Sequence, residues 1–259
     1  MTRRKRYAFG RNQLDARAIA ALVILVAVIV GGILYLRSRK PAPEPKPPGG
    51  AFPDLKEKPQ PLVGTFKGCP GTGDGGDPEL NRLKNRIDEA QNYYPIPFDS
   101  VLQLEWPKSI ERKDRDAWSS ADTAAVKRYE GIPISVEGYL AGTKQEGKES
   151  CNCHGIDPEF VDYHVWLVKS PDDAKSSSIV VEVTPRVRAN HPAWTTKALG
   201  QLNRTNQRVR ISGWLMLDPE HPNEVGKSRG TIWEIHPVTQ IEVYQNGNWI
   251  KLDDLSGRD

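Results

Sequence analysis

A mainly β fold with short helices, tethered by one N-terminal transmembrane helix, is what three features of this 259-residue sequence predict. From Gly131 to Val243 short apolar runs alternate with polar residues and are cut by turn formers, the period-two pattern of half-buried strands. One helical pattern interrupts them. Far ahead of them lies an uncharged apolar run long enough to cross a bilayer.

That run, Ala18 to Leu36 (AIAALVILVAVIVGGILYL), offers about 19 residues, enough for a helix through the hydrocarbon core. Arg3, Arg4, Lys5, Arg6, Arg11 and Arg17 precede it, and Arg37, Arg39 and Lys40 follow. The balance places a basic tail, residues 1–17, in the cytoplasm and the rest outside: a single-pass protein of the cell membrane with an extracytoplasmic head. A cleaved signal peptide is the rival reading. The apolar run exceeds a usual signal core, and cleavage after Gly32 would leave Ile33 to Leu36 on the mature end, so an uncleaved anchor is preferred.

Residues 37–63 form a linker. Pro41 to Pro61 (PAPEPKPPGGAFPDLKEKPQP) is rich in proline and charge, the composition of an extended spacer of roughly 3 Å per residue. Charge divides along the chain. Residues 1–61 hold 12 Lys/Arg and 4 Asp/Glu, a net of +8, and the remainder carries −5. A mildly acidic head argues against nucleic acid as a partner, because a backbone-binding groove needs clustered cations.

Residues 64–130 read as a helical and loop lead-in packed on the strands. The Gly-rich stretch Gly68 to Gly76 lacks the preceding strand and the Gly-Lys-Ser/Thr of a phosphate loop. Asp74 and Asp77 lack the spacing and terminal Glu of a calcium loop. Asp77 instead caps a helix opened by Pro78, with Leu80, Leu83 and Ile87 on one face and an end near Asn92. Asp99 caps a second short helix, and Ser120 or Asp122 starts a third that stops at Gly131.

Residues 131–259 read as the β-domain. Ile132–Ala141, Asp162–Val168 and Ser178–Val187 are its first three strands. Asn190 then caps a helix that begins His191-Pro192 and runs to about Leu202. Gln207–Leu217 and Thr231–Ile235 are strands four and five. After Ile241–Tyr244, Asn246-Gly247 marks a tight hairpin turn. Five strands with a helix between the third and fourth is the order of an OB-like five-stranded barrel, which often binds ligands on its strand 2–3 face and loops.

Particular segments carry a resemblance. They are Asp77-Pro-Glu-Leu-Asn-Arg-Leu-Lys-Asn-Arg, Val136-Glu-Gly-Tyr-Leu, Cys151-Asn-Cys-His, Asp162-Tyr-His and Val181-Glu-Val-Thr-Pro-Arg, followed by Ser212-Gly-Trp-Leu-Met-Leu-Asp-Pro-Glu-His and Trp233-Glu-Ile-His-Pro. With them, Gly68 to Val243 resembles a group of bacterial membrane-anchored proteins with an OB-fold-like domain and no established activity. The resemblance implies the fold and a bacterial origin, and no chemistry.

Cys151, Cys153 and His154, with His164, could form a tetrahedral zinc site, since thiolate and imidazole both suit that ion. The cysteines have one intervening residue where zinc motifs have two to four, and covalent haem attachment needs two, which argues against haem. An oxidising compartment favours the other reading, a disulfide from Cys69 to Cys151 or Cys153.

A second constellation is polar. By the period of two, Asp162, His164 and Trp166 share a face of the second strand, and Glu182, Thr184 and Arg186 a face of the third. His236 ends the fifth strand, with Glu234 on its side. His164, Glu182, Arg186 and His236 are therefore candidates for acid/base or metal-assisted hydrolysis, set against a reading as structural ion pairs. Trp166 and, in the loop Asp218 to Gly230, His221 and Arg229 are candidates for ligand binding. The expected function is an envelope binding or interaction module for a glycan or protein, with a metal-dependent hydrolase built on the Cys151–His154 segment, His164, Glu182 and His236 as the alternative.

Overall fold

The computed structural model describes residues 51–255, all within one compact unit, Pro47–Asp259. The predicted anchor Ala18–Leu36 lies outside the described residues, among which no helix is long and apolar enough to cross a membrane. Within residues 51–63 of the expected linker, Phe52 and Leu55 pack on the head, and the Phe52 ring meets Tyr129 edge-on at 5.4 Å.

Among the described residues three α-helices precede the main strands: α1 (Pro78–Lys84), α2 (Phe98–Leu102) and α3 (Ser120–Lys127). Asp77 caps α1, its Oδ1 accepting from Glu79 N at 2.9 Å and Leu80 N at 3.1 Å. The helix stops well short of Asn92. Arg86 leaves it to bridge Val63, and Ile87 N donates to Leu62 O at 2.9 Å, so backbone pairing with the incoming chain replaces the next turn. Pro97, not Asp99, precedes α2, and Ser119 caps α3.

A two-residue strand β1 (Tyr94–Pro95) precedes β2 (Pro133–Gln145), β3 (Tyr163–Val168), β4 (Ile179–Val183), β5 (Val209–Leu217), β6 (Trp233–Gln245) and β7 (Asn248–Lys251). Strands β2, β3, β4, β6 and β5 are hydrogen-bonded in that order, and β5 pairs back onto β2, closing a five-stranded barrel. The closed ring and its one parallel pair, β4 with β6, are compatible with an OB-like fold. The two runs read as Thr231–Ile235 and Ile241–Tyr244 are one 13-residue strand, β6. It stays intact because β5 follows it through register shifts near Gly213. The third strand is shorter than expected. Pro185 cannot extend the ladder and instead opens a one-turn helix, α4 (Pro185–Arg188). Then α5 (Thr196–Arg204) is capped by Thr195, later than the Asn190 start expected, because Thr195 Oγ1 takes the amide of Ala198 at 3.1 Å. Asn246 and Gly247, with φ of 51° and 84°, make the expected hairpin turn, and α6 (Leu252–Leu255) ends the described chain.

The barrel interior is one apolar core. Ile134, Val165, Leu167, Val181, Leu215, Trp233 and Ile235 are each no more than 1% exposed. Packing is tight where β5 bends past β6. A Cβ on Gly213 would lie 2.2 Å from Pro237 O and 2.7 Å from Ile235 Cγ2. Both belong to a central strand that cannot retreat without losing its ladder. Gly213→Ala is therefore expected to lower stability by about 1–3 kcal/mol, read as a shift of the urea midpoint. An unchanged midpoint would show that β6 can give way there.

Candidate functional site

The site is on the outside of the barrel. Side chains alternate along each strand, so while Val165, Val181 and Ile235 enter the core, His164 and Trp166 of β3, Glu182 of β4, and Glu234 and His236 of β6 face outward. Outward would ordinarily mean wet. Here His164 is 5% exposed, Glu182 6%, Glu234 2% and His236 2%, because the lead-in, the 146–162 loop and the 218–232 loop cover this wall.

The cover is fastened at several points. Cys69 is disulfide-bonded to Cys153, and Cys151 remains a buried free thiol. Asp74 N donates to Ser150 O at 2.8 Å. A Cβ on Gly73, whose φ is +68°, would lie 2.2 Å from that same oxygen, so the glycine is what lets the two loops touch. Asn85 Nδ2 donates to Gly71 O at 3.1 Å and Cys151 O at 2.7 Å. Arg186 donates to Asn85 Oδ1 at 2.8 Å, Gly64 O at 2.6 Å and Pro70 O at 2.9 Å. On the lead-in side, the Arg86 guanidinium lies 3.1 Å from the Trp214 ring centroid.

Beneath the cover, charged groups meet in chains. His164 Nδ1 lies 2.8 Å from Glu146 Oε1 and 3.0 Å from Glu182 Oε1. Burial alone lowers the His164 pKa, but its bonds to the two carboxylates outweigh that and raise it to about 9. Burial raises Glu146, and the hydrogen bond from His164 with help from Lys144 overrides it, leaving about 2. His236 Nδ1 is 3.4 Å from Glu234 Oε2, and its Nε2 is 3.9 Å from Asp162 Oδ2. Asp162 Oδ1 accepts from Asn152 at 3.1 Å. Burial pushes the Asp162 carboxyl well up, and the negative charges of Glu149 and Glu182 push it further. Lys84 Nζ sits 3.3 Å from Glu149 and 3.5 Å from Glu220. Arg229 pairs with Glu234, with Asp218 at 3.3 Å and with Glu224 at 3.1 Å.

The predicted residues thus divide. His164, Glu182 and His236 share one face, but Arg186 does not join them, since α4 turns it toward the Gly-rich loop. The Cys151–Cys153–His154–His164 tetrahedron does not assemble. Cys153 is spent on the disulfide, and His154 Nε2 lies 2.9 Å from Asp74 O. Trp166 and Arg229 are 8% and 2% exposed and do not offer a binding surface. The Lys175 ammonium covers the Trp166 ring at 3.4 Å. His221, half-buried, is bonded through Nδ1 to Asp218 Oδ2. Lys84 and Glu149 escaped sequence reasoning. The signal for Lys84 was its place four residues after Leu80, on the apolar face of α1. Glu149 sits in an irregular loop and had no signal.

The Asp218–His221 pair sets a pH dependence. Its hydrogen bond to Asp218 raises the His221 pKa above 6.5, against burial and Arg229, while Glu234 adds to the rise. Asp218 is lowered: burial opposes this, and His221, Lys84 and Arg229 override it. His221 stabilisation is complete below about pH 6.5 and lost as pH rises through the raised value; that of Asp218 is present above about pH 4 and lost below. His221→Gln is therefore expected to cost on the order of 0.5–1 kcal/mol at pH 5.5, after allowance for solvent screening of a partly exposed pair, and less at pH 9. Equal losses at both pH values in urea titrations would refute it.

No family model matches the chain, and no curated protein matches it. Among solved structures, a candidate aspartyl-tRNA synthetase of Leishmania major Friedlin is similar at 10% identity and a TM-score of 0.28, over 63% of this chain. The match spans 24% of that protein's length. A likeness this distant transfers neither activity nor substrate.

Proposed function

We propose that this chain is a single-pass, extracytoplasmic interaction module of a bacterial cell envelope that binds a glycan or protein and performs no catalysis of its own. One observation carries the reading. The barrel wall that OB-like folds commonly use for ligands is covered by the chain's own lead-in, and its His and carboxylate groups are buried under that cover. A substrate has no route to them. The disulfide supports an oxidising compartment, consistent with a head outside the cytoplasm.

Open binding surface exists elsewhere. A cleft of about 440 Å³ lies between the Glu89–Tyr93 turn and the outer face of β2, β5 and β6, floored by Ser135, Arg210, Ser212, Gln240 and Glu242. Such a dense set of donors and acceptors suits a hydroxyl-rich glycan. Beside it the Trp249 ring lies 4.1 Å from Arg210 and packs on Tyr244, an aromatic and arginine cluster of the kind that anchors partners. Cosedimentation of the head with isolated cell-wall sacculi tests the glycan arm, and crosslinking in intact cells the protein arm. Trp249→Ala with Arg210→Ala should reduce whichever is positive at least about tenfold, the loss of two anchors. Protease added to spheroplasts should digest the head; protection would refute the orientation.

The hydrolase reading has one observation in its favour, the convergence of His164, Glu182 and His236. The cover over all three opposes it.

A further inference from the structure

We propose that Glu149, Cys151, Asp162 and His236 form a closed site for one zinc-class divalent cation, pinning the 146–162 loop to β6. The ligand-capable atoms of Glu149, Cys151 and Asp162 all lie within 4.8 Å of one another. His236 Nε2 borders this group without belonging to it, 3.9 Å from Asp162 Oδ2, too far for a hydrogen bond. Bonds of roughly 2.0–2.3 Å in a tetrahedron place ligand atoms roughly 3.5 Å apart, so the three must draw together and His236 must swing inward to complete the shell.

An unsatisfied atom points the same way. His236 is 2% exposed, and its Nε2 has no hydrogen-bond partner. A buried ring nitrogen is rarely left so, and one facing a carboxylate and a thiol asks for an occupant.

The opposite atom of each oxygen and nitrogen ligand is already held. Glu234 takes His236 Nδ1 at 3.4 Å, Asn152 takes Asp162 Oδ1 at 3.1 Å, and Lys84 takes Glu149 Oε1 at 3.3 Å. Metal-binding imidazoles and carboxylates are oriented by such outer contacts, which leave the inner atom free. A thiol and an imidazole beside carboxylates select zinc over magnesium or calcium. Binding displaces the Cys151 thiol proton. Four protein ligands leave no open position, so the site is structural, and it stands or falls independently of the glycan or protein cleft.

The test uses the full chain, purified in detergent without chelator or histidine tag. Elemental mass spectrometry is expected to find about one zinc per chain, lost at least about tenfold in Cys151→Ser and His236→Gln and kept in His164→Gln. Loss in His164→Gln with retention in Cys151→Ser would overturn the assignment. Should the variants fail to fold, judged by far-UV circular dichroism and an intact Cys69–Cys153 bond, the wild type decides. Stripped and titrated with Co²⁺, it should show a thiolate-to-cobalt absorption band. Cobalt bound without that band, or none bound, would overturn it equally.

Discussion

Replacing Arg115 by alanine is expected to lower the free energy of unfolding by about 3–5 kcal/mol, the cost of stranding a buried charge. Arg115 and Glu130 form a two-pronged pair at 2.7 Å and 2.7 Å, their side chains 4% and 6% exposed. Burial by itself would lower the Arg115 pKa, and Glu130 more than reverses this. The pair is stitched to the barrel: Arg115 Nη2 donates to Leu217 O at 3.0 Å, and Leu217 N donates to Glu130 Oε1 at 3.1 Å. Asp77, already the α1 cap, accepts from Arg115 N at 2.7 Å through its other oxygen. One truncation therefore leaves Glu130 unneutralised and loosens α1 from β5. The double variant Arg115→Met with Glu130→Leu removes both charges and should recover most of the loss. Urea unfolding followed by tryptophan fluorescence reads both. A loss under about 1 kcal/mol for Arg115→Ala would mean that water reaches Glu130.

Cys69→Ser is the second large effect, about 4 kcal/mol. The bond spans 84 residues of sequence, and in the chain-entropy account a loop of that size is costly to close in the unfolded state. The loss should be felt first in the cover. Asn85 and Arg186 would still hold the Gly-rich loop, so partial opening should precede global unfolding. Amide hydrogen exchange at Gly73 and Asp74 should accelerate more than exchange within β5. Uniform acceleration would show that cover and barrel unfold as one unit.

The β-domain was legible because its period-two runs need only neighbouring residues to be read. The same rule put His164, Glu182, Glu234 and His236 on one side of their strands. It could not show that this side is dry, for the cover comes from segments remote in sequence, the lead-in ahead of the barrel among them. Nor could it exclude Arg186 from the cluster, since Pro185 was read as strand and not as a helix start. Cys69 to Cys151 or Cys153 stayed open because spacing carries no distance between remote loops; Gly73 against Ser150 O brings those loops together.

By itself, then, the sequence determined the apolar run, the basic flanks, the cap at Asp77, the hairpin at Asn246-Gly247 and the order of strands around one helix. All are local patterns of polarity and backbone preference. Only the tertiary structure decided that Cys153 is the bonded cysteine, that Trp166 and Arg229 are buried, and that Glu149, Cys151 and Asp162 meet, with Lys84 beside Glu149 and His236 beside Asp162. Those outcomes depend on which surfaces exclude water when distant segments pack, and burial is a property of the whole chain.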